Sequence, residues 1–340
     1  MEMNELMEMN RCPGTLAAGF TTYSRACIKR LFDGSKVNHV LPYASMQSNN
    51  NSEDSFEDSF EENASRMSIS GVQEKFSIIQ WKNKIRLTKE GEQGTHILKP
   101  IPSGPKNADQ MPANEHLTMQ IAHQVFGIET AANAFIFFGN GDPAYITKRF
   151  DVVRSGPLSP EFSKLAQEDF ASLAGKSPQT HGTDYKYLGS YWDLFELMRE
   201  HLPSYKVESL KLFKLLVFNY LFSNGDAHLK NFSIIETPQG DFKLSPAYDL
   251  LNSSIHIDDG DFALYEGLIP ARKAQGNVVK QFRWLADYSG IPEKQTNAIM
   301  SLMVSKTERV TKLIDASFLK DRMKRSYLQW YQLKLKKLRE

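Results

Sequence analysis

Short runs of apolar residues, alternating with polar ones or following one another directly, dominate the first half of the chain. Five of these runs predict β-strands: KFSIIQW (75–81), KIRLT (84–88), THILKP (95–100), AFIFF (134–138) and AYITKRF (144–150). The last two are joined by residues 139–142, Gly-Asn-Gly-Asp, a strong hairpin signal. Between the third and fourth runs, apolar residues recur at helical spacing in a segment that Pro112 opens and Gly127 closes. This half therefore predicts a small sheet with one helix.

Helical patterns dominate the second half of the chain. Residues 159–161 (Ser-Pro-Glu) predict a helix start, and YWDLFELMREHL (191–202) predicts an amphipathic helix. The run VESLKLFKLLVFNYLF (207–222) is apolar on nearly every face, which predicts a buried central helix. Three further helical patterns fill residues 278–340.

One predicted hairpin, formed by residues 231–236 and 242–250, interrupts these helices. This order of elements is that of a protein-kinase-like chain. We therefore predict an α+β fold with two lobes: a small mixed or antiparallel sheet lobe with one helix over residues 67–155, and a larger, mainly helical lobe over residues 156–340. Residues 1–66 are predicted to be an N-terminal extension that ends in a Ser/Asn/acidic low-complexity connector.

Composition narrows the class of protein. The chain has 340 residues, of which 41% are hydrophobic and 24% charged, as in soluble globular proteins. Forty-one basic against forty acidic residues exclude a polyanion-binding field over the whole surface. Cys12 and Cys27 are the only cysteines, which argues against structural zinc and for a reducing compartment. Without a signal peptide pattern or a membrane-length apolar run, the sequence predicts a cytoplasmic protein that does not contact membranes.

The strongest chemical signal is the polar segment NGDAHLKNF (224–232), which follows the predicted central helix. Phosphoryl transfer needs a carboxylate to accept the hydroxyl proton, ligands for Mg²⁺, and a lysine on the phosphates. Asp226 and Asn231 have the spacing of the kinase loop aspartate and its metal-binding asparagine. Asp249 follows where a second metal-binding aspartate belongs. We predict Asp226 as the base and Asn231 and Asp249 as Mg²⁺ ligands.

Two residues upstream and two within the loop extend this constellation. Lys99 ends the third predicted strand, and Glu115 lies in about the first turn of the next helix, an arrangement that orients a lysine toward the α- and β-phosphates of ATP. Lys230 is predicted to neutralise charge on the transferring phosphoryl group. For His228 we favour a structural role, in which a hydrogen bond to backbone holds the loop, and we keep it among the candidate residues of the nucleotide site. Each element alone is weak, but all of them in this order predict a phosphotransferase.

Seven segments of the chain form a recognisable set: SISGVQEKFSI (68–78), THILKP (95–100), NEHLTMQIAHQVFGI (114–128), KRFD (148–151), AQEDF (166–170), NGDAHLKNFS (224–233) and LSPAYDLL (244–251). Together they resemble the HipA-like serine/threonine kinase toxins. The resemblance implies an ATP- and Mg²⁺-dependent serine/threonine protein kinase that acts as the toxin of a toxin–antitoxin system. It implies that an aminoacyl-tRNA synthetase is phosphorylated and growth stops. It also implies a HipB-like helix-turn-helix antitoxin as partner, through which the protein reaches DNA only indirectly.

The resemblance assigns further roles around the nucleotide. The backbone at Lys148 and Phe150 would hold the adenine as the hinge. Asp151 and the Gln-Glu-Asp run at 167–169 resemble family positions near the nucleotide. The roles that it implies for Asp226, Asn231, Asp249 and Lys99 agree with those derived above from spacing.

The SISGVQEK loop stands where most kinases have a Gly-rich loop. Backbone amides at Ser70, Gly71 and Val72 are predicted to cradle phosphate there. Two roles are open for Ser68 and Ser70. Their hydroxyls cap the turn, or, as the resemblance implies, they are autophosphorylated. A phosphoserine would add a charge of about −1.5 to −2 beside the ATP phosphates and regulate the enzyme.

Only 67 residues precede Ser68, fewer than in the long HipA chains. In this respect the chain resembles the short, HipT-like members of the family, in which a separate HipS-like protein supplies the missing N-terminal subdomain. A three-gene arrangement is the expectation.

Three other functions compete with this one. A small-molecule phosphotransferase of the aminoglycoside or choline kinase type also uses a D-x-x-x-x-N loop, but it usually has a histidine where this chain has Asn224, and it lacks the SGVQEK loop. A non-catalytic kinase-like binding scaffold is the second alternative, although every required polar residue is present. A metal hydrolase built on His228 lacks ligand pairs at helical spacing.

Overall fold

The computed structural model describes residues 9–45, 74–154, 162–270, 273 and 276–340. In these ranges the strands are β1 (Phe76–Trp81), β2 (Lys84–Leu87), β3 (His96–Pro100), β4 (Asn133–Phe137), β5 (Pro143–Lys148), β6 (Val152–Arg154), β7 (Phe162–Lys164), β8 (Gln167–Asp169), β9 (Ser233–Glu236) and β10 (Phe242–Leu244). The α-helices are α1 (Arg25–Leu31), α2 (Met111–Gln124), α3 (Phe170–Leu173), α4 (Pro178–His181), α5 (Tyr191–His201), α6 (Tyr205–Leu221), α7 (Val278–Tyr288), α8 (Glu293–Val304), α9 (Thr307–Ala316) and α10 (Asp321–Arg339).

Strands β1 to β5 form one antiparallel sheet in the order β2-β1-β3-β5-β4. The five strands predicted in the first half are confirmed, with boundaries that differ by one or two residues. Lys99 lies on β3, which is the middle strand of the five. The register of β3 and β5 pairs Lys99 with Tyr145 and His96 with Lys148. Helix α2 follows β3, as predicted, and Gly127 adopts a positive φ of 60° just beyond its end.

Both faces of this sheet are buried, as strand β4 shows. Phe135 and Phe137 belong to a core shared with α2 and the helical lobe, whereas Ala134 and Ile136 belong to a second core on the opposite face. Because successive side chains of a strand point to opposite faces, a strand that is buried throughout must be covered on both sides. The second cover is the N-terminal segment, residues 9–45.

The N-terminal segment, of which nothing beyond an extension was predicted, packs against the edge of the sheet next to β4. The Phe137 amide donates to the His39 carbonyl (3.0 Å), and the Leu41 amide donates to the Phe137 carbonyl (2.7 Å). Phe32 of this segment is fully buried in the second core together with Cys12. The predicted low-complexity connector lies outside the described residues from position 46 onward.

The helical lobe is built on α6, the predicted central helix. Its C-terminal half is buried on all sides, and α2, α5 and α7 to α10 contribute to the same core. The predicted helix at 191–202 is confirmed as α5. The hairpin predicted at 231–250 is confirmed as β9 and β10, although its second strand ends at Leu244.

The helix start predicted at 159–161 lies outside the described residues. Just after it, strand β7 pairs with β6, and β8 then pairs with β9. Strands β6, β7 and β8 have three residues each, too few to give a periodic signal. Residues 278–340 contain four helices rather than three, because only Ser305 and Lys306 separate α8 from α9.

In the described ranges, none of the helices combines the length and the apolar composition that a bilayer crossing requires.

Candidate functional site

Lys99, Glu115 and Asp249 form one charged cluster where the sheet meets the helical lobe. The Lys99 Nζ atom lies 2.6 Å from Glu115 Oε1 and 2.5 Å from Asp249 Oδ1. The side chains of Lys99 and Glu115 are only 4% and 5% exposed, whereas that of Asp249 is 26% exposed. The lysine is therefore fixed between two carboxylates, one of which also faces solvent.

The electrostatics of the cluster follow from burial and ion pairing. Burial alone would lower the pKa of Lys99, but the carboxylates of Asp249 and Glu115 outweigh it and raise that pKa. Burial would raise the pKa of Asp249, but the ammonium groups of Lys99 and Lys75 hold it well below its usual range. For Glu115, burial prevails over Lys99 and raises the pKa. Lys99 and Asp249 are therefore both charged at neutral pH.

Asp249 is brought to Lys99 by a contact between the segments that follow α2 and β10. The Ala247 amide donates to the Glu129 carbonyl (2.8 Å), and the Ala131 amide donates to the Ala247 carbonyl (2.9 Å). Two residues later, Asp249 adopts a φ of 55°, a left-handed conformation that costs free energy in a residue other than glycine. The chain thus accepts backbone strain at the residue whose side chain reaches Lys99.

The loop at 224–232 begins where α6 ends. Asp226 accepts a hydrogen bond from the Tyr187 hydroxyl at 2.9 Å. The Asn231 Oδ1 atom accepts one from the His228 amide at 3.0 Å, so the loop closes on itself. A short 3-10 turn, Leu229–Asn231, lies within it.

His228 is buried, and burial lowers its pKa to about 4, so its ring is neutral at neutral pH. The ring makes an edge contact with Tyr187, with centroids 5.3 Å apart. Its Nδ1 atom has no hydrogen-bond partner among the described residues. The backbone of His228 closes the loop, and the structural role of its ring stays a prediction.

Lys230 points to the surface of the loop and pairs with Asp169, with 2.9 Å between Nζ and Oδ2. Its carbonyl accepts a hydrogen bond from the Tyr248 hydroxyl (2.9 Å), which ties the loop to the residue before Asp249. The Gln-Glu-Asp run at 167–169 is thus placed beside the loop through β8. The side chain of Lys230 is 42% exposed and accessible to a ligand.

A pocket of about 230 Å³ opens beside Lys99 and Asp249 and reaches the predicted hinge. The residues that line it are Lys75, Ile97, Lys99, Ala131, Thr147, Lys148, Arg149, Phe150, Asp151, Gln167, Tyr248 and Asp249. The Lys148 amide already donates to the Ala132 carbonyl, and its ammonium pairs with Asp33 at 2.5 Å. The Phe150 ring lies against Tyr248, with centroids 5.7 Å apart. Asp151 accepts two hydrogen bonds from the Arg149 guanidinium and does not contact the charged cluster directly.

Two residues beside the site were not singled out from the sequence. Lys75 lies 3.7 Å from Asp249 Oδ2, and its place in the quoted SGVQEK motif was an available signal. Tyr187 gave no signal, because its contact with Asp226 depends on tertiary packing alone. The predicted phosphate-binding and autophosphorylation positions Ser68, Ser70, Gly71 and Val72 lie outside the described residues.

The donor set fits a magnesium ion better than a softer metal. Asn231 and Asp249 offer amide and carboxylate oxygens, and Mg²⁺ is usually held by one or two carboxylates together with substrate phosphates and water. Within the described ranges there is no group of three or more His, Cys, Asp or Glu side chains placed to hold a metal alone. With Asn231 and Asp249 as ligands, substrate phosphate and water would complete the coordination of Mg²⁺.

Comparison with known proteins agrees with the fold. The structure superposes on HipA in the HipA, HipB and operator DNA complex of the Shewanella oneidensis MR-1 toxin–antitoxin system with a TM-score of 0.60, at 21% identity, over 80% of this chain and 64% of that one. It superposes on the Helicobacter pylori proinflammatory kinase CtkA with a TM-score of 0.50, at 15% identity, over 77% and 93% of the two chains. The fold is kinase-like, with a curled antiparallel sheet followed by a helical lobe.

Sequence comparison gives the family. The serine/threonine-protein kinase toxin HipA of Shewanella oneidensis is 27% identical over 203 residues, 57% of this chain and 45% of that protein. The Sinorhizobium fredii protein Y4mE is 32% identical over 198 residues. The chain spans between 44% and 64% of the length of the first curated relatives that it matches. The HipA-like C-terminal domain family matches residues 67–311, most of the chain, and the protein belongs to that family.

Proposed function

We propose that this protein is an ATP- and Mg²⁺-dependent serine/threonine protein kinase. The observation that carries the proposal is the Lys99 ammonium, which is held at 2.6 Å from Glu115 and 2.5 Å from Asp249 in the wall of a pocket. A buried lysine kept charged by two carboxylates is suited to binding the phosphates of ATP. Two lobes, at 67–155 and 156–340, would enclose the nucleotide.

The adenine would bind at the hinge, where the Lys148 carbonyl would accept a hydrogen bond from it and the Phe150 amide would donate one to it. The Lys148 amide is already engaged in the sheet, so only its carbonyl is assigned to adenine. Lys99 would bind the α- and β-phosphates, and the amides of Ser70, Gly71 and Val72 would cradle phosphate. His228 would complete the nucleotide site from the loop.

Asp226 would accept the proton of the substrate hydroxyl. The Tyr187 hydroxyl occupies its Oδ1 atom, which leaves the second carboxylate oxygen for the substrate. Lys230 would leave Asp169 to neutralise charge on the transferring phosphoryl group. Asn231 and Asp249 would hold Mg²⁺, which neutralises charge on the phosphates when it is bound.

We further propose that the kinase is the toxin of a toxin–antitoxin system and that its substrate is an aminoacyl-tRNA synthetase. The family and the similarity to the kinase toxin HipA support the first part. The similar HipA structure contains HipB and operator DNA, which supports a HipB-like antitoxin and an indirect contact with DNA here. A HipS-like protein would be a second partner. Since the N-terminal segment occupies the edge of the sheet next to β4, such a partner would bind elsewhere.

Mass spectrometry after incubation with Mg-ATP tests these proposals. We expect phosphate on Ser68 or Ser70, and on one aminoacyl-tRNA synthetase in a cell lysate, with the wild-type chain but not with Asp226→Asn. Ser68→Ala and Ser70→Ala then separate the two autophosphorylation sites. Phosphate on a small-molecule alcohol instead would favour the aminoglycoside or choline kinase alternative. Absence of any transfer would favour a binding scaffold.

A further inference from the structure

Residues 253–261 form a segment that contacts the backbone turn carrying Asp226, and no sequence pattern predicted this contact. The Gly225 amide donates a hydrogen bond to Ser253 Oγ at 2.7 Å. The Ser253 hydroxyl also contacts the Ser223 carbonyl (3.0 Å) and the carboxylate of Asp259. The Ser254 hydroxyl donates to the other oxygen of Asp259 at 3.1 Å. Asp259 thus reaches the turn through one buried hydroxyl group.

Gly225 has no side chain because this segment leaves no room for one. A Cβ atom at position 225 would lie 2.4 Å from Asp259 Oδ2 and 2.5 Å from the Gly260 carbonyl oxygen. Real Cβ atoms do not approach other atoms so closely. The φ of Gly225 is not positive, so the glycine is required by this close approach and not by its backbone conformation.

The far end of the segment is fixed by an ion pair. Asp261 pairs with Lys334 of α10, whose side chain is only 4% exposed, and with Lys337 at 3.5 Å. The Lys334 ammonium also lies 4.8 Å from the centre of the Tyr220 ring. Tyr220 belongs to the last turn of α6, which leads into the Asp226 turn. Residues 259–261 are therefore held at both ends, by Ser253 at the Asp226 turn and by Lys334 beside the last turn of α6.

We infer that Asp259 is a positioning residue for Asp226 and acts through Ser253 and the Gly225 amide. Ser253 has one hydroxyl hydrogen, and by accepting it in place of the Ser223 carbonyl Asp259 fixes the direction in which the oxygen accepts from Gly225. The turn then presents the Asp226 carboxylate in one orientation. Asp259 touches neither substrate nor nucleotide in this role. The inference rests on the proposed function only in that Asp226 is taken to be the base.

The matched control is Asp258→Asn. Asp258 lies next to Asp259 and has an exposed side chain, so the variant loses the same charge from the same segment. Asp259→Asn puts an amide where the carboxylate contacts Ser253, and Ser253→Ala removes the acceptor of Gly225 directly. Ser253→Ala also keeps the test valid if Asp259→Asn does not fold.

The first readout is amide hydrogen exchange in peptides that cover residues 222–228, measured on the full chain. We expect exchange of the Gly225 amide to be at least about tenfold faster in Asp259→Asn and in Ser253→Ala, because the amide loses a fixed partner, and unchanged in Asp258→Asn. Equal exchange in Asp259→Asn and Asp258→Asn would overturn the inference. This readout does not depend on whether the protein is a kinase.

The second readout is the rate of phosphate transfer from ATP to the chain itself. We expect kcat to fall between about tenfold and 100-fold in Asp259→Asn, with KM for ATP within about twofold of wild type, because only the base is displaced. The double variant with Ser253→Ala should lose no more than the larger single loss. An unchanged kcat in Asp259→Asn overturns the positioning role. No transfer by the wild-type chain overturns the proposed function, and the exchange data still decide whether Asp259 holds the turn.

Discussion

Lys99 and Asp249 form a 2.5 Å ion pair across 150 residues of the chain. The same ammonium contacts Glu115, so a strand of the sheet, the helix that follows it and the segment after β10 share one cation. Because Lys99 and Glu115 are almost completely buried, water cannot replace either partner. The stability of the fold and the charge of the candidate site are therefore linked at Lys99.

Lys99→Met is expected to lower both the stability of the fold and the activity of the candidate site. It leaves Glu115 buried without a counter-charge, which should lower the free energy of unfolding by about 3–5 kcal/mol. It should also reduce phosphate transfer by about 100-fold or more. Urea unfolding and a transfer assay with labelled ATP measure the two effects.

The control is the double variant Lys99→Met, Glu115→Gln. It removes the uncompensated carboxylate, so it should be more stable than Lys99→Met alone while remaining inactive. A double variant that is less stable than Lys99→Met would contradict the assignment of the cost to buried charge.

The parts of the site that could be predicted lie on strongly patterned elements. Lys99 lies near the end of a strand that the alternation of apolar and polar residues predicts. Glu115 lies on a helix whose apolar residues recur at helical spacing. Asp226 and Asn231 are close in sequence, so their spacing alone is informative. Tyr187 and Asp259 could not be predicted, because each contacts the loop from a segment without regular periodicity, and only tertiary packing places it there.

The strength of the sequence pattern also explains which strands and helices could be predicted. The five strands of the main sheet and helices α2, α5 and α6 were predicted, since each has four or more residues in a recognisable pattern. Strands β6 to β8 have three residues each and carry no such pattern. The packing of the N-terminal segment depends on residues such as Phe32, which fills the second core directly after the short helix α1.

Lys230 and Asp169 provide a second prediction. Their ion pair is partly exposed, so breaking it should change the free energy of unfolding by no more than about 1 kcal/mol. Lys230→Ala and Asp169→Asn both break the pair, but only the first removes the proposed cation at the phosphoryl group. We expect Lys230→Ala to lower kcat by about 100-fold and Asp169→Asn by far less. Similar losses of kcat in the two variants would mean that the ion pair itself matters rather than the free lysine.

The hinge gives a third prediction, which distinguishes the contribution of the Lys148 carbonyl to ATP binding from that of its side chain. Only the carbonyl of Lys148 is assigned to adenine, whereas its ammonium pairs with Asp33, whose side chain is 56% exposed. Lys148→Ala should therefore change the Kd for ATP by less than about threefold, since the carbonyl remains. Calorimetric titration with a non-hydrolysable ATP analogue measures this. A loss of binding comparable to that of Lys99→Met would show that the side chain contributes directly.

His96 gives a fourth prediction, on the pH dependence of stability. The buried His96 ring contacts the Leu31 carbonyl of the N-terminal segment (2.9 Å between Nε2 and O) and the Thr95 hydroxyl (2.8 Å from Nδ1). Burial lowers the pKa of His96 from 6.5 to about 4, although the hydrogen bond with the Leu31 carbonyl acts in the opposite direction. Smaller contributions come from the Lys148 ammonium, which lowers the pKa, and the Asp33 carboxylate, which raises it. The unfolded chain thus binds a proton on this ring at a higher pH than the folded chain does.

The sign of the effect follows from this order. Above pH 6.5 both states are neutral at His96 and stability does not depend on it. As pH falls from 6.5 toward 4, the unfolded state alone gains the proton, and stability falls by about 1.4 kcal/mol per pH unit. At pH 5 the loss attributable to His96 is about 2 kcal/mol.

His96→Gln isolates this contribution, since glutamine can still donate to the Leu31 carbonyl but does not titrate. His116, whose pKa burial also lowers to about 4, remains in both proteins and cancels in the difference. The variant should be less stable than wild type at pH 7.5, and the gap should narrow by about 2 kcal/mol at pH 5. Urea unfolding at the two pH values measures the gap. A gap that stays constant would mean that the His96 ring takes up its proton equally in both states, and hence that the N-terminal segment does not bury it in solution.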